Sequence, residues 1–82
     1  MGRRNHLVRT RMAKCMADGV WRTAAQIGGI FSSHRWSYRS NGQLGNLLAR
    51  TPGFDRRKVG HRSSVYEYQF TNRSAFDEFM RV

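Results

Sequence analysis

Acidic residues are scarce in this chain: five Asp and Glu stand against fifteen Lys and Arg over 82 residues, a formal charge of +10 and a pI near 11.5. A surface so unbalanced repels copies of itself and makes a polyanion the expected partner. The acids that do occur are Asp18, Asp55, Glu67, Asp77 and Glu78, and none is paired at a spacing suited to general acid/base work. The adjacent Asp77 and Glu78 are expected in the first turn of a helix, where they would complement its dipole. With Cys15 the only cysteine, an intrachain disulfide is excluded, and the scattered His6, His34 and His61 do not complete a zinc pattern. Gly28-Gly29 lacks the Lys-Ser/Thr that follows in a phosphate-binding loop. No apolar run has the length of a membrane span, and no signal-peptide pattern is visible. The expectation is a soluble protein of the reducing cytoplasm, associated with the nucleoid if its polyanion is DNA, with no enzymatic activity, metal or cofactor.

What is abundant is arginine, thirteen of the fifteen basic residues. Its planar guanidinium suits bidentate contacts to phosphate and guanine edges better than the point charge of lysine, although a GC-rich genome would raise arginine equally. The length gives room for one domain with a modest core. Residues 1–5 form a basic arm with Arg3 and Arg4. From His6 to Asp18, Val8, Met12, Cys15 and Met16 recur at helical spacing, and Gly19 supplies a stop. Val20-Trp21-Arg22 is too short for an independent strand, yet it has room to add an edge to a later hairpin. Thr23-Ala24-Ala25-Gln26 matches a capping box, opening a second helix that turns Ile27, Ile30 and Phe31 inward.

A polar and aromatic connection, Ser32 to Arg39, leads to Ser40-Asn41-Gly42-Gln43, which repeats the capping-box spacing. The third helix then carries Leu44, Leu47 and Leu48 as one apolar stripe and ends near Arg50, before Pro52-Gly53. Phe54 to Val59 and Val65 to Phe70 read as strands joined by Gly60-His61-Arg62-Ser63-Ser64, with Tyr66, Tyr68 and Phe70 on one face. Residues 71–82 are a C-terminal extension in which Ser74-x-x-Asp77 suggests a helix start and Phe76, Phe79 and Met80 recur at helical spacing. That surface either packs on the core or joins two copies of the chain. Trp21 is expected in the core, and Trp36 and Tyr38 over the joint between the second and third helices rather than stacked on bases.

The order helix, short strand, helix, helix, hairpin resembles the winged helix-turn-helix family over about residues 6 to 70. The phrases Asp18-Gly19-Val20-Trp21-Arg22-Thr23-Ala24-Ala25-Gln26-Ile27 and Val65-Tyr66-Glu67-Tyr68 resemble its helix 1 to helix 2 junction and returning wing strand. The resemblance implies an α+β winged helix-turn-helix domain with three helices, a β-hairpin wing and a short fourth helix. It also implies that the third helix enters the DNA major groove while the hairpin tip reaches the flanking backbone or minor groove. The Ser32 to Arg39 connection is longer than the tight turn of the basic helix-turn-helix.

Carried over by position, the groove-facing candidates are Arg39, Ser40, Asn41, Gln43, Asn46 and Arg50, and the wing contributes Arg56, Arg57, Lys58, His61 and Arg62. Asn and Gln suit adenine N6/N7 and Arg suits guanine O6/N7, and the third helix holds these types without an acid on that face. Thr23 and Arg22, at the start of the second helix, offer a phosphate seat besides plain capping. The expected partner is duplex DNA, for a transcriptional regulator or a phage or mobile-element accessory factor, with a homodimer through Phe76, Phe79 and Met80. The alternatives are a protein-interaction module docking its basic face on an acidic host protein, and an RNA-binding basic protein.

Overall fold

Along the chain run α1 (His6–Cys15), β1 (Arg22–Thr23), α2 (Ala24–Ser33), α3 (Asn41–Arg50), β2 (Phe54–Lys58), β3 (Tyr66–Phe70) and α4 (Arg73–Met80). The computed structural model describes residues 5–60 and 65–81, and these make a small α+β domain of four helices and a three-stranded antiparallel sheet. Among the described residues no helix is long and apolar enough to cross a membrane.

The first helix stops three residues short of the expected Asp18. Its last turn tightens: the Met16 amide donates to the carbonyls of both Met12 and Ala13, at 3.1 and 3.3 Å, and the Gly19 amide to Met16 at 3.0 Å. Gly19 then takes a φ of 74°, a left-handed conformation that reverses the chain. Asp18 spans this reversal, accepting from the Val20 amide at 3.1 Å and from both terminal nitrogens of Arg22 at 2.7 and 2.8 Å. Two residues of extended chain follow, and β1 pairs with β3 through Arg22↔Tyr68 and Thr23↔Glu67. The strand order is β1-β3-β2, so the short segment is an added edge beside the hairpin.

Thr23 closes the capping box at the start of α2. Its hydroxyl accepts from the Gln26 amide at 3.1 Å, and the Gln26 side chain accepts from the Thr23 amide at 2.8 Å. Ile27 and Phe31 of α2, Leu44, Leu47 and Leu48 of α3, Met12 of α1 with the adjoining Met16, and Tyr68 of β3 form the core. Gly28 lets α2 and α3 approach: a methyl group there would meet the Tyr38 hydroxyl at 2.8 Å and collide with Asn41 Oδ1.

Of the two tryptophans, Trp36 packs as expected and Trp21 does not. Trp36, with Tyr38, packs edge-on against Phe31 at centroid distances of 5.5 Å and belongs to the rim of the core. Trp21 is half-buried outside it, covered by the Arg57 guanidinium 4.2 Å from its ring. Strand alternation is the cause, because Arg22 pairs with Tyr68 on the inner face, which sends its neighbour Trp21 to the outer one.

The cap of the fourth helix lies two residues before the expected Ser74. Asn72 is its cap, accepting from the Ala75 amide at 3.0 Å. Asp77 and Glu78 therefore lie beyond the first turn, and Asp77 instead meets Arg73 one turn back at 3.4 Å. Phe76 is turned into the molecule, 5% exposed, with its ring edge-on to Phe54 and Phe70, which stack on each other at 4.9 Å. It is not available to a second copy of the chain; on α4 the exposed ring is Phe79.

Candidate nucleic-acid interface

The polar line of α3 is built by its own start. The Ser40 hydroxyl accepts from the Gln43 amide at 3.1 Å, as expected of a cap. The reciprocal bond is displaced by one residue: Gln43 Oε1 accepts from the Arg39 amide at 2.6 Å rather than from Ser40. This fixes Arg39 as an exposed extension of the helix. At about 100° per residue, Gln43, Asn46 and Arg50 fall within one sector, and Leu44, Leu47 and Leu48 in another.

That sector lines a groove of about 630 Å³ shared with the beginning of α1. Arg39, Ser40, Gly42, Gln43, Asn46, Leu47 and Arg50 form one wall, and Asn5 and Val8 the other. Of the expected helix residues, Asn41 is the exception. It points away from this groove and lies against Gly28 of α2. Asn5 and Val8 carried no sequence signal for this role. Asn5 holds the cap position of α1, yet its side chain makes no capping bond there, and its Oδ1 accepts from Gln43 Nε2 at 3.3 Å.

Between the α1 groove and the sheet, α3 presents Gly42, Asn46 and Ala49, all exposed. On the sheet side Gly45 approaches the Tyr68 hydroxyl, 3.5 Å from where a methyl group would stand. Burial pushes the Tyr68 phenol above its ordinary value, and the nearby Arg56 guanidinium pulls in the opposite direction. Arg56 itself lies 4.4 Å from the centroid of the Tyr66 ring. The hairpin thus brings one guanidinium to the flank of α3.

The hairpin register divides its remaining basic residues. Arg56 is opposite Tyr68 and Lys58 opposite Tyr66, on the helix-facing side, whereas Arg57 is opposite Glu67 on the outer side. Arg57 is also engaged there, donating to Glu67 Oε1 at 2.9 Å while covering Trp21. Arg57 therefore faces away from α3. Arg22 is similarly occupied: besides gripping Asp18 it donates to the Cys15 carbonyl at 3.1 Å. Its fork joins the end of α1 to β1, and Thr23 uses its hydroxyl as the cap. Arg3, Arg4, His61 and Arg62 lie outside the described residues.

Through residue 54 the sequence contains a single acid, Asp18, and Arg22 holds that carboxyl well below the usual carboxylate range, helped by the Val20 amide. On α1 and the α2–α3 connection, Arg11 lies 5.1 Å from the Trp36 ring, which stacks on His34 at 4.5 Å. No family model, curated protein or solved structure gives a significant match to the chain.

Proposed function

We propose that the chain is a winged helix protein that reads double-stranded DNA, with α3 in the major groove and the hairpin and basic arm on the flanking backbone. A role as a small transcriptional regulator or as a phage or mobile-element accessory factor fits that activity and size. The observation that carries the reading is the outer aspect of α3: Asn46 between the small Gly42 and Ala49, bordered by Arg39 and Arg50 on one side and Arg56 on the other, with no acid on the helix. Small residues let a helix backbone come close to a groove floor, and an Asn held there can pair bidentately with adenine. Ten helical residues span about 15 Å, enough to follow a few base pairs. The deep, narrow major groove of A-form RNA does not admit such a helix, which favours DNA.

The test is titration of the protein with random-sequence duplex at several salt concentrations, followed by selection of preferred sites. Affinity falls steeply with salt, and a preferred motif emerges. Asn46→Ala relaxes preference at one position, at a cost of about 1 to 3 kcal/mol on the preferred site. Lys58→Ala weakens all duplexes alike and reduces the salt slope by about 1. Uniform loss from Asn46→Ala would remove base reading by α3, and stronger binding to single-stranded RNA or to one protein would replace the duplex.

A further inference from the structure

The arginines of this chain are held in different ways. Among the described residues, Arg22, Arg57 and Arg73 meet the carboxylates of Asp18, Glu67 and Asp77. Arg56 stands in none of these ion pairs and is exposed, yet it is not loose. Its guanidinium lies 4.4 Å from the centroid of the Tyr66 ring and beside the Tyr68 hydroxyl. Register explains the seat: Arg56 is directly opposite Tyr68, which makes Tyr66 its diagonal neighbour on the same face, within reach of a long side chain. Both rings are anchored, Tyr68 within the core and Tyr66 packed against it. The seat adjoins α3, because the Tyr68 hydroxyl is 3.5 Å from where a methyl group on Gly45 would stand. At about 100° per residue, Ala49 and Gly42 follow Gly45 around the helix and Asn46 comes next, about a quarter turn away. Arg56 and Asn46 therefore border one strip of small residues from its two sides.

We propose that Arg56 is a specificity-determining residue that reads a guanine in the major groove, beside the base read by Asn46, and that Tyr66 is the positioning residue that holds its plane. The inference rests on duplex binding by the exposed face of α3 and extends the part of the hairpin from backbone contact to base reading. A guanidinium fork donates two bonds to guanine O6 and N7, whereas adenine and cytosine place an amino donor in the same groove. A carboxylate partner would occupy that fork, and Arg56 has none among the described residues. The aromatic seat leaves the charge intact and fixes its plane, so less side-chain freedom is lost on binding. Lys58, two residues further along β2 on the same face, is a point charge suited to phosphate.

The experiment uses the full chain and the duplex that the wild type selects, and measures affinity against salt together with the selected sequence. Arg56→Ala removes the preference for one guanine, a loss of about 10- to 100-fold on the preferred site, and leaves the position set by Asn46 as it was. Tyr66→Leu weakens the same guanine preference and keeps the salt slope, because the charge remains. Replacing that guanine by 7-deazaguanine, which lacks N7, weakens wild-type binding and leaves Arg56→Ala unaffected. The wild-type arm of that comparison involves no altered protein, so it stands even where a variant folds poorly. A selected motif with no guanine beside the Asn46 position would overturn the inference, as would indifference of the wild type to 7-deazaguanine. A uniform loss from Arg56→Ala, with the salt slope lower by about 1, would make the residue a phosphate contact while base reading by Asn46 stood. A wild-type protein that binds no duplex overturns the DNA reading and this inference with it.

Discussion

At single residues, two glycines make opposite demands. Gly53 follows Pro52 with a φ of 105°, and a methyl group there would lie 2.7 Å from the Asn72 carbonyl oxygen and 2.9 Å from Phe76 Cβ. Backbone and core both resist, so Gly53→Ala is expected to destabilise by about 2 kcal/mol or more. Gly29, inside α2, has nothing within 4 Å of such a methyl group, and Gly29→Ala is expected to stabilise by up to about 1 kcal/mol through helix propensity. Urea unfolding of the two variants checks the opposite signs. Asp18 gives a pH signature. Its side-chain bond to Arg22 depresses the folded-state value below the ordinary 3.8, so the stabilisation is present above that ordinary value and is lost as pH falls below it towards the folded value. Wild type should therefore exceed Asp18→Asn in Tm at neutral pH, with the difference narrowing below about pH 4. A constant gap down to pH 2 would rule out the ion pair as its source.

At the scale of elements, two helix starts were legible because a short side chain serves its own first turn. Thr23 and Ser40 do so, and Thr23→Ala is expected to cost about 1 kcal/mol in chemical denaturation, with Thr23→Ser recovering most of it. The same logic misplaced α4, because Asn72 precedes Ser74 and supplies the acceptor. It also missed Asn5, whose local capping role is replaced by a partner 38 residues away. The Leu44, Leu47 and Leu48 stripe and the paired strands followed from period alone. The face on which each wing guanidinium lies depended on register, which placed Arg57 beside Glu67 and Trp21.

For the molecule as a whole, α4 is tied into the domain by Phe76 and by the Gly53 carbonyl, which accepts from the Thr71 and Asn72 amides at 2.8 and 3.1 Å. Phe76→Ala should cost about 3 to 5 kcal/mol in urea unfolding. Phe79, 39% exposed and touched by Arg9 at 5.1 Å from its ring centroid, should tolerate Ser with a loss of about 1 kcal/mol or less. Analytical ultracentrifugation of Phe79→Ser tests the homodimer separately: an unchanged oligomeric state would exclude that ring as its contact. The charge excess acts at the same scale, as a field that no single residue supplies.

By itself the sequence determined the charge, the helix and strand periods and two helix caps, because these depend on residue type and on neighbours within one turn or one pleat. Which polar side chains are engaged by neighbours depends on packing. Gln43, Arg22, Arg57 and Asn41 resemble Asn46 and Arg50 in type, but the first three are engaged by Asn5, Asp18 and Glu67, and Asn41 is turned towards α2. Those partners meet through helix crossing, chain reversal and strand register, which are properties of the packed chain and have no local pattern to announce them.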